Sequence, residues 1–341
     1  MKTAVILFNL GGPDGPDAVQ PFLFNLFNDP AIIRLPQPLR WLVAKLISGR
    51  RTPTAQKIYA QMGGRSPILP NTEAQAQALE AALGPDFKCF IAMRYWRPRA
   101  DIQVATVKAW GPDRILLLPL YPQYSTTTTG SSVSEWRHEA KRAGLAVPTV
   151  SLCCYPNNPG FVAAVAEQIK AGLDRFGTER PRVLFSAHGL PKKIVDAGDP
   201  YQAQVEQSVA AVLAELALPD LDWVICYQSR VGPMEWIGPS TEAEVRRAGA
   251  DGVPLLVVPI AFVSEHSETL VELDIEYREL AHAKGVPAYV RVPTVDADVH
   301  FIAGLAEEAR RALASNQPVC SGAGGRICSP DRLGCPCGLK G

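Results

Sequence analysis

Four glutamates, Glu265, Glu268, Glu272 and Glu276, recur between Ser264 and Tyr277 with no lysine or arginine among them. In an α-helix, at about 100° per residue, they fall in one stripe roughly 80° wide. Like charges four residues apart repel, and the intervening residues offer no neutralisation. Such a stripe suits a visiting cation or mobile protons, and the alternative is a solvated acidic face. The apolar run 255–263 comes directly before it, so the stripe begins where a buried strand ends, which is where open parallel sheets bind ligands. His188 closes a second apolar run, 183–187, ahead of Gly189-Leu190-Pro191. A histidine there points into the same cleft, able to accept a proton near neutral pH or to ligate a metal; the alternative is a satisfied structural histidine. Ser186 is not read as a nucleophile beside it, because no G-x-S-x-G surrounds it. His266 adds a second imidazole, about 100° round the helix from Glu265.

The elements that position these residues alternate along the chain. Strand-like apolar runs fall at residues 4–10, 89–95, 115–121, 149–155, 183–187, 223–227, 255–263 and 288–292. Helical patterns occupy, among others, 71–83, 131–143, 161–176, 201–216, 264–283 and 299–314. Strands without in/out alternation, separated by helices, predict buried parallel sheets with right-handed crossovers. The two sets of four strands echo each other: the third run of each carries a proline (Pro119, Pro259), the second leads to an arginine (Arg94, Arg230), and the first ends in a Gly/Pro turn. The expectation is an α/β protein with two similar doubly wound domains, 1–155 and 156–315, each with a four-stranded parallel sheet, facing one cleft.

The chain has 341 residues, 47% hydrophobic, enough for one large domain or two medium ones. Its 34 basic and 34 acidic residues cancel, which favours neither nucleic acid nor an acidic polymer as partner. No apolar run approaches a membrane span, and the start runs into Gly11-Gly12-Pro13 without a cleavage pattern; a cytoplasmic protein is expected. The segment 21–48 departs from the pattern, being crowded with large apolar residues and followed by Arg50-Arg51. Two buried helices, or a lip that covers an apolar ligand or touches a membrane surface, would both account for it. Four of the eight cysteines, Cys320, Cys328, Cys335 and Cys337, crowd into a Gly- and Pro-rich tail, 316–341, which needs something other than a core to order it. The other four (Cys89, Cys153, Cys154, Cys226) lie in strand-like runs as small hydrophobes.

The mouths of the remaining strands bring Arg94-Tyr95-Trp96, Tyr121-Pro122-Gln123-Tyr124-Ser125 and Tyr227-Gln228-Ser229-Arg230, with Trp236 following. Planar apolar walls with a few arginines and hydroxyls suit a large flat ligand bearing carboxylates. Neither Gly11-Gly12 nor Gly63-Gly64 belongs to a dinucleotide or P-loop pattern, so a nucleotide is not indicated. These segments, together with Asn9-Leu10-Gly11-Gly12-Pro13, Gly63-Gly64-Arg65-Ser66-Pro67, Ser186-Ala187-His188-Gly189-Leu190-Pro191 and Ser264-Glu265-His266-Ser267-Glu268-Thr269-Leu270, resemble the ferrochelatase family in its own order.

The resemblance implies insertion of Fe²⁺, as substrate, into protoporphyrin IX to give protohaem, between two Rossmann-like domains and without an organic cofactor. It implies His188 and Glu268 as catalytic and iron-binding groups, with Glu272 and Glu276 along the same acidic path. Met62, Ser66, Arg94, Tyr95, Tyr121, Ser125 and Trp236 fall at substrate-binding positions, and the segment after Phe22 matches an active-site lip, which suggests peripheral contact with the inner membrane face. Oligomeric state, monomer or homodimer, stays open. Other functions compatible with the residues are a coproporphyrin iron chelatase, a cobalt chelatase, or a porphyrin carrier that would not need the glutamate stripe. Some members of the family hold a [2Fe–2S] cluster on three tail cysteines and one in the loop after the Tyr-Pro-Gln-Tyr-Ser motif. Thr126 stands at that fourth place, so Cys320, Cys328, Cys335 and Cys337 are expected to supply all four thiolates. A structural Zn²⁺, disulfides or an unordered tail are the alternatives.

Overall fold

A computed structural model describes residues 1–230, 232–315 and 317–338. The first half runs β1 (Thr3–Asn9), α1 (Val19–Phe27), α2 (Leu39–Ala60), α3 (Ile68–Leu83), β2 (Phe87–Met93), α4 (Ala100–Trp110), β3 (Arg114–Pro119), α5 (Thr129–Arg142) and β4 (Thr149–Leu152). After α6 (Pro159–Asp174) come β5 (Arg182–His188), α7 (Lys192–Asp196), α8 (Tyr201–Leu216), β6 (Trp223–Gln228), α9 (Thr241–Asp251) and β7 (Leu255–Pro259). A π-helix (Glu268–Glu276) then leads into α10 (Tyr277–Ala283), β8 (Tyr289–Arg291), α11 (Val299–Ala314) and a short β9 (Val319–Cys320).

These strands form two sheets, ordered β2-β1-β3-β4-β9 and β6-β5-β7-β8, and every pairing within them is parallel. The first four strands of each half therefore take the same spatial order, second, first, third, fourth. All seven residues of β1 and all five of β7 are buried, as expected of parallel strands covered on both faces. One continuous apolar core joins the sheets, running from Val5, Leu7 and Leu118 through Phe161 and Phe301 to Phe185, Leu256 and Val258. Helix α11 packs on α6, α3 and β4, with Phe161 and Phe301 edge to face at 6.1 Å.

The fifth strand of the first sheet is a difference from the expected four. It comes from the tail: β9 pairs with β4, matching Val319 to Ser151 and Cys320 to Leu152. A two-residue strand in a Gly- and Pro-rich stretch carries no period to be read. The tail is fixed further by Arg326, whose guanidinium donates to the carbonyls of Cys328, Ser329, Arg332 and Cys337.

The apolar segment forms α1 and α2, packed on each other with Phe24 and Trp41 edge to face. Phe22 and Leu23 turn inward, whereas Leu39, Trp41, Leu42 and Leu46 stay 41–55% exposed. Among the described residues, no helix is long and apolar enough to cross a membrane.

Candidate active site

The strand ends of the second sheet bring together residues far apart in sequence. His188 is the last residue of β5 and Glu268 the first of the π-helix; His188 Nδ1 lies 3.4 Å from Glu268 Oε2. His266 approaches the same oxygen with Nε2 at 3.6 Å, while its Nδ1 is 3.1 Å from the Ser264 carbonyl. The His188 side chain is 44% exposed although its Nδ1 is buried, so the Nε2 edge faces the opening. Burial alone would raise the Glu268 carboxyl, but the charges of His188 and His266 and the His266 hydrogen bond outweigh it and bring the group down to about 2. Glu268 is therefore an anion near neutral pH, backing an imidazole whose free nitrogen looks outward. Gly189 makes room for this arrangement, since a Cβ there would lie 2.8 Å from the Gln228 carbonyl oxygen. Tyr59, from the end of α2, closes the site beside Ser267 and Glu268.

The glutamate stripe is not a bare row of charges. The segment expected as one α-helix is a π-helix continued by α10, and its wider turn keeps Glu268, Glu272 and Glu276 on one side. Glu265 leaves the stripe: it pairs with Arg291 of β8 at 2.7 Å and accepts from the Thr294 backbone at 3.0 Å. Glu272 accepts from the Ser229 N–H and hydroxyl, the Gln228 amide and the Tyr277 hydroxyl. Glu276 is exposed, and its carboxyl is raised by partial burial and by the charges of Glu272 and Glu279. The neutralisation that the local sequence lacks comes from other strands.

Three residues placed by resemblance on the substrate wall are committed elsewhere. Arg94 spends its three nitrogens on Asp29 (2.8 Å), Glu135 (3.0 Å) and Ser131 (2.7 Å). The Tyr95 hydroxyl donates to the same Asp29 at 2.8 Å, and Tyr95 is buried. Ser125, also buried, donates to Asp199. Arg94 and Tyr95 tie the lip at Asp29 to the end of β2, and Ser125 ties the first half of the chain to Asp199 in the second. Asp29 itself, in the lip, carries no sequence signal that would have found it. Met62, Tyr121 and Trp236 remain half-buried, and Ser66 packs under Gly12, where a Cβ would meet its side chain at 2.5 Å. Val231, at the end of the Tyr227-Gln228-Ser229-Arg230 segment, lies outside the described residues.

The tail cysteines regroup. Cys328, Cys335 and Cys337 share an apolar pocket with Tyr124 and the strand-end pair Cys153 and Cys154. Cys153 Sγ lies 3.3 Å from Cys154 Sγ and 3.4 Å from Cys337 Sγ. The Gln204 amide, held by the Tyr124 N–H on its oxygen, donates to the sulfurs of Cys154 and Cys328. Hydrogen bonds from Cys328 and Cys337 hold the Cys335 thiol well below its ordinary range. Cys320 does not join them, which corrects the expected set of four tail ligands. In register with Leu152, it belongs to the main core, and its thiol faces the Ser151 carbonyl. Among the described residues no group of three or more His, Cys, Asp or Glu is arranged as a ready metal-ion site; the sulfurs touch one another instead.

A sequence model of the Ferrochelatase family matches residues 2–313. The chain belongs to the ferrochelatase family. A protein named Ferrochelatase from Phenylobacterium zucineum is 60% identical over 320 residues, 92% of each chain. Another of that name, from Caulobacter vibrioides, is 53% identical over 342 residues, 98% of this chain and 97% of the relative. Among solved structures, SirB from Bacillus subtilis with Fe3+ shares the fold, at a TM-score of 0.54 and 14% identity, covering 92% of this chain and 96% of that one. The cobalt complex of the sirohydrochlorin chelatase SirB from Bacillus subtilis subspecies spizizenii is similar at 0.53 and 11% identity, covering 92% and 95%.

Proposed function

We propose that His188 and Glu268 carry the proton and metal traffic of iron insertion into protoporphyrin IX. The chain is a ferrochelatase, and its reaction gives protohaem from ferrous iron and the free porphyrin. Metallation must remove two pyrrole protons and strip water from iron. The outward Nε2 of His188 is the base that takes a proton; Glu268, an anion behind Nδ1, stabilises the imidazolium that results. A rigid cleft that bends the macrocycle exposes its nitrogens and so favours the transition state. Glu276, exposed and raised, hands protons or hydrated iron between the site and solvent, while Glu272 is a fixed counter-charge. The observation that carries this reading is the 3.4 Å approach of His188 to Glu268 at the mouth of β5. Anaerobic Fe²⁺ insertion into protoporphyrin and coproporphyrin, with wild type and Glu268→Gln, tests it. Collapse of turnover in the variant with retained fold is expected; unaltered kinetics would remove Glu268 from the catalytic machinery.

The apolar outer face of α2 supports the less polar porphyrin and a peripheral membrane contact. Leu39, Trp41, Leu42 and Leu46 are flanked by Arg40, Lys45 and Arg50, a composition suited to an interfacial helix on the cytoplasmic side of a membrane.

The sulfur pocket fits an iron–sulfur centre by its donor chemistry: buried thiols in mutual contact, with an oriented amide donating to two of them. We assign a [2Fe–2S] cluster to Cys328, Cys335, Cys337 and one of Cys153 and Cys154. Its binding free energy would order the tail.

A further inference from the structure

Across the floor of the cleft, a buried polar network joins the first domain to the loop that carries the catalytic glutamate. Gln75, on α3, is 1% exposed. Its Nε2 donates to the Val263 carbonyl at 2.8 Å and to the Asp296 carbonyl at 3.0 Å, and its Oε1 accepts from the Ser264 hydroxyl at 3.1 Å. Both amide ends are thus specified by their partners. Asn9, at the end of β1, donates to Thr72 at 3.0 Å and reaches Ser264 at 3.5 Å. Asn9, Thr72 and Ser264 are buried as well. Ser264 is where the contact passes on: its carbonyl holds His266 Nδ1, and His266 Nε2 faces Glu268.

We propose that Gln75 is a positioning residue for iron insertion: it clamps the loops after β7 and β8 to α3, so that Ser264 and His266 hold Glu268 against His188. The inference rests on Glu268 being the catalytic carboxylate. An apolar residue of the same length would fill the space, but it would strip the Asp296 carbonyl of its side-chain donor, take one of two donors from the Val263 carbonyl and leave the Ser264 hydroxyl without its acceptor, a cost the loop can relieve by shifting. A shift of about 1 Å in a catalytic group costs up to about 100-fold in rate. The walls that meet the porphyrin face need not move with it. The signature is therefore a loss in kcat per folded site with porphyrin affinity retained, and coupling to Ser264.

The test measures anaerobic turnover of Gln75→Met, Ser264→Ala and the double variant, normalised to porphyrin-binding sites counted by fluorescence titration. Gln75→Met should lose about 10- to 100-fold in kcat with little change in porphyrin KM, and the double variant should be no worse than the more affected single one. If Gln75→Met does not fold, Gln75→Glu keeps the length and the acceptor for Ser264 while removing both donors, and should show the same split. Unchanged kcat per site with a lowered Tm would make Gln75 structural and overturn the proposal, as would strictly additive losses. Glu268→Gln, run alongside, separates the two readings. Collapse there with normal Gln75 variants overturns the clamp alone, whereas wild-type turnover there overturns both.

Discussion

His188 and Glu268 lie 80 residues apart in the chain and meet because two parallel strands end side by side. If His188 Nε2 is the base, His188→Ala should lose about 10²–10⁴-fold in turnover while porphyrin affinity barely changes, read by steady-state kinetics with a separate binding titration. Asp296 offers a different test. Its Oδ1 is buried without a partner among the described residues. Burial first, then the charge of Glu265, raise its carboxyl from 3.8 to about 6. A folded-state pKa above the unfolded one means a contribution present below about pH 3.8 and lost as pH rises through about 6. Asp296→Asn, which also tolerates the positive φ of 42° there, should raise Tm at pH 7–8 relative to wild type and do nothing near pH 3.5; a pH-independent difference would remove the carboxyl as the cause. At this scale the sequence exposes residue types at strand ends, and so His188 and Glu268 are legible. It does not expose who partners whom: Asp29, which takes Arg94 and Tyr95 out of the substrate wall, sits some 65 residues before them.

At the scale of elements, hydrophobic periodicity places α8 and α11 to the residue and all eight principal strands within a few residues. It says nothing of which hydrogen bond a helix closes. The π-helix begins one residue after Ser267 because Gln228 and Ser229, at the end of β6, bind the Glu268 carbonyl and the Glu272 carboxylate; those partners are invisible in a local window. Glu272→Gln swaps a fourfold acceptor for a group with an amide facing donors. It should cost about 1–3 kcal/mol, seen as a lower urea midpoint, with kinetics less affected than in Glu268→Gln. Equal stability would mean that the four donors find water instead. The α1–α2 lip was legible as an apolar excess, but its outward face was not, since composition does not say which residues turn in.

At the scale of the whole molecule, the repeated strand order was foreshadowed by the echo of prolines and arginines between halves, whereas the tail was misread. Its cysteine spacing pointed to a self-contained set; the register of β9 sends Cys320 into the core and leaves its place to the pair on β4's continuation. Aerobically purified protein should be reddish-brown with about two irons per chain. Cys328→Ser, Cys335→Ser and Cys337→Ser should bleach it, Cys320→Ser should not, and one of Cys153→Ser and Cys154→Ser should. Bleaching by Cys320→Ser as well, with both Cys153→Ser and Cys154→Ser still coloured, would restore the set of four tail ligands, and a colourless protein with one zinc per chain would replace the cluster. Beyond its sulfurs, the tail has a consequence for biogenesis. Because β9 completes the sheet begun by β1, a ribosome has made every other strand of that sheet before the outer edge of β4 is paired. Until then β4 presents unpaired backbone, an invitation to foreign strands. Chains stalled or clipped ahead of Val319 should therefore be the aggregating species, even with both halves of the cleft already made.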